Sequence, residues 1–399
     1  MEKQRRKVLY LILAWGGILS FMLVLLLENT KAASWLVMEN NFNWQFSDFF
    51  RQIVYASDLQ NIYFNTKDAP FPPFAYVLFH LISKMNPMQL PIELKSWRES
   101  QNYQYNLLIF VILMIFVSVF LVDIVKKILG FGRISSLFIY SVLLSAPFLS
   151  GAIERGNIAI LVCVLLLMAL FWKEAKEPWK REIALVFIAV AAGLKIYPAI
   201  FGLIYLKEKR WGEAARLILY GLMVFFIPFL FTGGLAGFRR YLEVLGSFET
   251  LSVARWTNVR CFLLAIQKSL GIESNIQLGI VLENVYLLLC VISFFKTKMK
   301  WKHALYLSGI LALYIPNSYR YVALYMLIPL VFWFRQSSGR WNDWVYCILF
   351  SAVFTIPMHA YPIGGAVDFW IFAPIYLIMA FSMIEVWFMK DLPQGCFMK

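Results

Sequence analysis

The sequence predicts an all-α, polytopic integral membrane protein with about twelve membrane helices, two of them short. Three observations carry that prediction. The composition is 61% hydrophobic and 18% aromatic but only 15% charged, whereas soluble domains run at about a quarter charged. The mean hydropathy is +0.68, so a soluble enzyme, a secreted disulfide scaffold and a disordered chain are excluded. The charges sit in short clusters between apolar runs, which places the formal charge of +14 in membrane topology and not in nucleic-acid binding.

The elements follow in order. Residues 8–27 form an apolar run behind Lys3, Arg5, Arg6 and Lys7. About twenty helical residues cross a bilayer core, and Ala32-Ala33-Ser34 is a poor cleavage site, so this run reads as an uncleaved anchor. Further spans are expected at 103–125, 134–153, 156–172, 214–231, 276–295, 304–315, 321–334, 344–357 and 369–388. Residues 183–206 are one apolar stretch broken by Lys195 and Pro198, with basic flanks on both sides. If both flanks are cytoplasmic, the stretch enters and returns as two short helices, 183–194 and 196–206. A polar break of that kind belongs where it lines a cavity. With both termini cytoplasmic, 22 of the 37 lysines and arginines fall in the short inner segments, as the positive-inside bias requires. The whole chain reads as a single integral membrane domain, 1–399.

Two extracytoplasmic loops are long, 28–102 and 232–275. The first is rich in aromatic residues and expected to form amphipathic helices in the headgroup layer. Pro72-Pro73 before Phe74 reads as a helix start, where missing N–H groups are harmless. The five cysteines show no C-x-x-C pair, so neither a zinc site nor a disulfide framework is expected.

The chemistry-bearing residues gather on the extracytoplasmic face. Asp48 stands among aromatics, where desolvation raises a carboxylate's proton affinity and suits it as a base; a helix N-cap at Ser47-Asp48 is the structural alternative. Glu154-Arg155-Gly156-Asn157 is a polar turn between two spans, with Gly156 to make the turn and Arg155 shaped to clamp a phosphate. Lys195 is an intramembrane cation suited to an anionic headgroup, with snorkelling as its alternative. Pro316-Asn317-Ser318-Tyr319-Arg320-Tyr321 is a turn rich in hydrogen-bonding groups, and its tyrosines suit a sugar pocket. Arg255 and Arg260 stand in the second long loop with Arg239 and Arg240 nearby, where some can hold anionic lipid heads. The chain carries no Walker A loop and no G-x-G-x-x-G or D-x-D pattern, so a sugar donor would be lipid-linked and not a nucleotide sugar.

In order along the chain, these landmarks are similar to a known pattern. They are Asp48 with Tyr55 and Tyr63; Phe71-Pro72-Pro73-Phe74; Arg155-Gly156-Asn157; Gly193, Lys195 and Pro198; Lys209-Arg210-Trp211; and the Pro316–Tyr321 turn. The chain resembles the C-type (GT-C-like) superfamily of integral-membrane glycosyltransferases, most closely family 87, which includes polyprenol-phosphate-mannose-dependent mannosyltransferases. The resemblance implies a hexosyltransferase working on the extracytoplasmic face of the cell membrane. Its donor would be a polyprenyl-phosphate sugar, mannose or another hexose, and its acceptor a lipid-linked or cell-envelope glycan. It implies Asp48 as the catalytic base in an inverting displacement, and Lys195 near the donor phosphate with Arg155, Arg320 and Arg260. Asn157, Tyr55, Tyr63, Asn317, Tyr319 and Tyr321 would contact sugar or acceptor. No cofactor, metal or nucleic acid is expected, and membrane lipids are the surroundings. The chain departs from the family where Arg155-Gly156-Asn157 replaces a common glutamine, and where Tyr319-Arg320-Tyr321 replaces a common histidine. A transporter or flippase for a lipid-linked glycan is the alternative. It would want polar residues along a path through the membrane, and only Asp123, Glu283 and Glu385 lie within the expected spans.

Overall fold

The computed structural model describes residues 46–66, 69–88, 101–130, 155–250, 276–314, 320–337, 340–355 and 369–389, with isolated positions between them. Most residues of the expected spans at 8–27 and 134–153 lie outside the described residues, as do Asn317 and Tyr319. All regular structure among the described residues is helical.

Two compact units divide the chain. The first comprises Glu39–Leu121 and Ala152–Ser252; the second comprises Met1–Met38, Val122–Gly151 and Val253–Lys399.

The first unit begins with three helices from the long loop: α1 (Ser47–Tyr55), α2 (Ile62–Asn65) and α3 (Pro73–Met85). Pro73 occupies the first turn of α3, as the proline pair predicts. Five aromatic residues of this loop do not lie open to a headgroup layer. Phe49, Phe50, Tyr63, Tyr76 and Phe79 are buried together, with Phe110 from α4 (Tyr103–Leu129) packed into the same core. Edge-to-face contacts such as Phe49 with Phe50, ring centroids 5.7 Å apart, hold it. Tertiary packing has therefore claimed side chains that composition assigns to the interface.

Next comes a tight hairpin of α5 (Ala159–Trp172) and α6 (Pro178–Leu194). Proline again starts α6. Seventeen residues at 1.5 Å each make α6 about 25 Å long. At the connecting end, Lys173 pairs with Glu208 at 2.6 Å, and Arg210 donates to the Lys173 carbonyl at 3.0 Å. At the other end α6 stops at Leu194, and Lys195 is extended (φ −147°, ψ 124°). A 3-10 turn, Tyr197–Gly202, and the short α7, Leu203–Lys207, follow. The expected break at Lys195 is present, and the return limb is half 3-10 helix, with Pro198 in its first turn, where a missing N–H is harmless. Helix α8 (Trp211–Phe226) packs along α6, a turn Ile227–Leu230 extends it, and α9 (Gly234–Thr250) completes the unit. The approach of α8 is close at Gly193, where an added Cβ would stand 2.3 Å from Val224 and 3.1 Å from Phe74.

The second unit holds α10 (Ile276–Lys296), α11 (Lys300–Leu313), a 3-10 turn Arg320–Met326, α12 (Leu327–Gln336), α13 (Trp341–Thr355) and α14 (Phe369–Phe388). Helix α11 is buried on every side from Trp301 to Leu313, as a centrally placed helix must be.

Among the described residues three helical stretches are long and apolar enough to cross a membrane: Tyr103–Leu129, Trp211–Leu230 and Gln277–Lys296. Ala159–Trp172, Tyr321–Gln336 and Phe372–Phe388 are apolar but shorter.

Candidate active site

Asp48 lies in the first turn of α1, behind Phe46 in the left-handed conformation (φ 56°). The N-cap alternative fails, because the cap position is Phe46 and no side chain caps this helix. Instead the Asp48 carboxylate reaches across the chain. Its Oδ2 accepts a hydrogen bond from Asn157 Nδ2 at 2.7 Å, and Arg155 Nη2 stands 3.5 Å from its Oδ1. The backbone is tied to the same turn, for the Asp48 N–H donates to the Arg155 carbonyl at 2.9 Å.

The 155–157 turn is built to meet α1. Gly156 has φ +69°, and a Cβ there would stand 2.9 Å from Phe49 Cβ and 3.1 Å from Phe46 Cα. Both the left-handed backbone and the close approach require glycine. Asn157 is 2% exposed, and its orientation is fixed from both ends. Its Oδ1 accepts from the Ala159 N–H at 3.0 Å, an Asx turn just ahead of α5, so its amide NH2 must face Asp48.

Lys195 arrives at this place from the end of α6. It is 3% exposed, and its Nζ lies 5.3 Å from the Phe71 ring centroid and 5.7 Å from that of Tyr197. Those rings offer their negative faces to the ammonium. The negative charge of Asp48 also acts on it and partly offsets the cost of taking the ammonium out of water. Three distant stretches of sequence thus supply one carboxylate and two cations, with a formal surplus of one positive charge. The Asp48 side chain is 21% exposed, so a hydroxyl can approach it. The set can accept a proton and hold an anion.

The tyrosines expected beside them lie in the aromatic core of the same unit. Tyr63 is fully buried and donates to the Phe71 carbonyl at 2.9 Å, so it shapes the Phe71-Pro72-Pro73 turn and offers no exposed surface to a ligand; burial pushes its phenol well up. Tyr55 packs half-buried against the same aromatic core. Asp58, the other loop acid, is occupied by Asn61 at 3.1 Å and Asn65 at 2.9 Å. Partial burial acts to raise its carboxyl, but these hydrogen bonds bring it below the usual range.

Arg260, in the second unit, pairs with Glu283 at 3.0 Å, so its charge is already met. Tyr321 is half-buried beside Arg320 at the start of the 3-10 turn. Phe71 and Tyr197 are the residues whose role sequence reasoning missed. Both stand inside landmark segments, but which rings cover Lys195 depends on packing.

Each acid expected within the spans has a basic partner. Asp123 meets Lys127 at 2.6 Å, Glu283 meets Arg260, and Glu385 meets Lys302 at 3.1 Å.

The model of glycosyltransferase family 87 matches residues 70–357, which include Arg155, Asn157, Lys195, Arg260 and Arg320. Asp48 precedes the matched segment and enters the site through its contacts with Arg155 and Asn157. Nothing among curated proteins or solved structures matches the chain. With more than two thirds of its length matched, and with helices throughout its described residues, the chain belongs to glycosyltransferase family 87.

Proposed function

We propose that this membrane glycosyltransferase moves a hexose from a polyprenyl-phosphate donor to a lipid-linked or cell-envelope glycan acceptor. The reaction takes place on the extracytoplasmic face, with both chain termini in the cytoplasm. The observation that carries the reading is the convergence of Asp48, Arg155, Asn157 and Lys195. A carboxylate held beside two cations suits a reaction that removes a proton at one atom and releases a phosphate at another.

In this mechanism Asn157 holds Oδ2 of Asp48, and Oδ1, beside Arg155, meets the acceptor. Oδ1 takes the proton as the acceptor hydroxyl attacks the anomeric carbon. The new C–O bond forms on the face opposite the phosphate, and the bond from that carbon to the phosphate oxygen breaks. The configuration inverts. The leaving polyprenyl phosphate keeps the electron pair, and Lys195 and Arg155 meet its charge. Phe71 and Tyr197 keep Lys195 from wandering, so the cation is in place before charge develops.

Two features support the orientation. Lys195 and Asn157 occupy one end of the α5–α6 hairpin, while Lys173, Glu208 and Arg210 knot the other. That second end carries the basic excess expected on the cytoplasmic side. The flippase alternative gains nothing from the acids in the spans, since each is paired with a cation.

The test is transfer by purified protein in lipid nanodiscs, using labelled polyprenyl-phosphate hexoses and a membrane-glycolipid extract. Wild type should transfer, while Asp48→Asn should bind donor equally and lose about 10²–10⁴-fold in rate. Equal transfer by both would discard Asp48 as the base. Donor binding with lipid flipping, but without transfer by either protein, would overturn the enzyme reading.

A further inference from the structure

Away from Asp48, the first unit has an open groove of about 610 Å³ between α2 and α9, lined by Phe64, Leu235, Ala236, Arg239, Arg240 and Glu243. Its two arginines differ. Arg240 is held in place, donating to the Tyr63 carbonyl at 3.3 Å and paired with Glu243. Arg239 is exposed and makes no ion pair among the described residues, so the groove keeps one uncompensated positive charge. Its lip is apolar. Leu235 is 68% exposed and Phe64 48%, and Leu230, Phe231 and Leu242 are exposed nearby. A soluble surface seldom sets large apolar side chains around an uncovered cation, whereas an interfacial helix does so regularly.

We propose that this groove binds an anionic phospholipid, with its phosphate on Arg239 and an acyl chain along Leu235 and Phe64. Charge and shape both point to that occupant. The surplus charge calls for a monoanion, which a phosphodiester headgroup is, and the exposed leucines call for hydrocarbon next to it. A water-soluble anion would satisfy Arg239 and leave Leu235 and Phe64 uncovered. The pair Arg240 and Glu243 is neutral as a unit and fixes the groove wall through Tyr63. The site is separate from the Asp48 and Lys195 cluster, and the proposal holds whichever donor the enzyme takes.

Native mass spectrometry of protein extracted from nanodiscs of mixed phosphatidylglycerol and phosphatidylcholine tests it. Wild type should retain at least one phosphatidylglycerol in preference to phosphatidylcholine. Arg239→Gln should weaken that retention roughly fivefold, as expected for one arginine at a lipid surface. Lys84→Gln, which removes an exposed cation of α3, should leave it unchanged. A phosphatidylglycerol carrying a photoreactive group beside its phosphate should label peptides of α9 in wild type, and label them less in Arg239→Gln. Equal retention by Arg239→Gln and wild type, no preference over phosphatidylcholine, or labelling confined to other helices would each overturn the proposal. Melting temperatures in pure phosphatidylcholine should be the same for all three proteins, which separates lipid loss from misfolding.

Discussion

In the second unit Lys302 and Glu385 meet at 3.1 Å with side chains 2% and 6% exposed. Around them Tyr346 and Asn342 each donate to the Glu385 carboxylate at 2.5 Å. In the first unit Asp48 and Arg155 stand 3.5 Å apart with side chains 21% and 17% exposed, and Lys195 lies between aromatic rings. The first arrangement neutralises a buried pair and gives its carboxylate two further donors, which ties α11, α13 and α14 together. The second holds its charges in place and leaves a cationic surplus with an approach from outside. On the proposed reading, charges that hold a fold are closed off by partners, whereas charges that meet a substrate are fixed in position and open to approach.

That contrast makes opposite forecasts for the two clusters, and the largest concerns the closed one. Glu385→Leu leaves the Lys302 ammonium buried without its counter-ion and removes the acceptor of Tyr346 and Asn342. The cost should be about 3–5 kcal/mol of stability, read as a large drop in melting temperature in detergent. The folded fraction should keep its transfer rate. Pairing Glu385→Leu with Lys302→Met should recover most of the loss, because a buried ion pair replaced as a pair is often neutral or stabilising. A stable but inactive Glu385→Leu enzyme would break the comparison and give the second unit a catalytic charge.

The next effect belongs to Lys195. Lys195→Met keeps the apolar stem between Phe71 and Tyr197 and removes the ammonium. Stability should hardly fall, since a desolvated cation is removed from an aromatic slot. The value of kcat/KM should drop about 10²-fold, as when one group stabilising developing charge is lost, with weaker donor binding measured directly. A Lys195→Met protein that melts early and transfers normally would place Lys195 with Lys302 as a structural cation.

Local signals made part of this legible. The start of α3 at Pro72-Pro73, the break at Lys195 and the turn at Gly156 each follow from the backbone limits of one or two residues. The pairing of Asp48 with Asn157 does not, because 109 residues separate them and nothing in the local pattern chooses Asn157 over a cap. For the same reason Ser47-Asp48 looks like a helix cap in sequence, while α1 in fact begins behind a left-handed Phe46. The aromatics of the first loop carry no mark that separates an interfacial residue from a core residue; burial against α4 decides it. Nor does spacing alone reveal Glu283, 23 residues away, as the partner of Arg260.

The smallest effect tests the finest part of the contrast, that Asp48 is held and not merely placed nearby. Asn157 has two duties, accepting the Ala159 N–H through Oδ1 and holding Asp48 through Nδ2. Asn157→Leu loses both, so it should cost about 1 kcal/mol of stability and about tenfold in transfer rate, and by itself it cannot apportion them. Asn157→Asp can. Aspartate keeps an oxygen for the Ala159 N–H, while its carboxylate, buried beside Asp48, should lower the melting temperature at neutral pH. Toward Asp48, however, it replaces a donor with a second carboxylate, and two adjacent carboxylates resist being ionised together. Transfer by Asn157→Asp should therefore fall more at pH 6 than at pH 8, moving the acidic limb of the pH–rate profile to higher pH. If Asn157 serves only the Ala159 N–H, Asn157→Asp should keep the wild-type pH profile, and that result would leave Asp48 held by Arg155 and its own backbone.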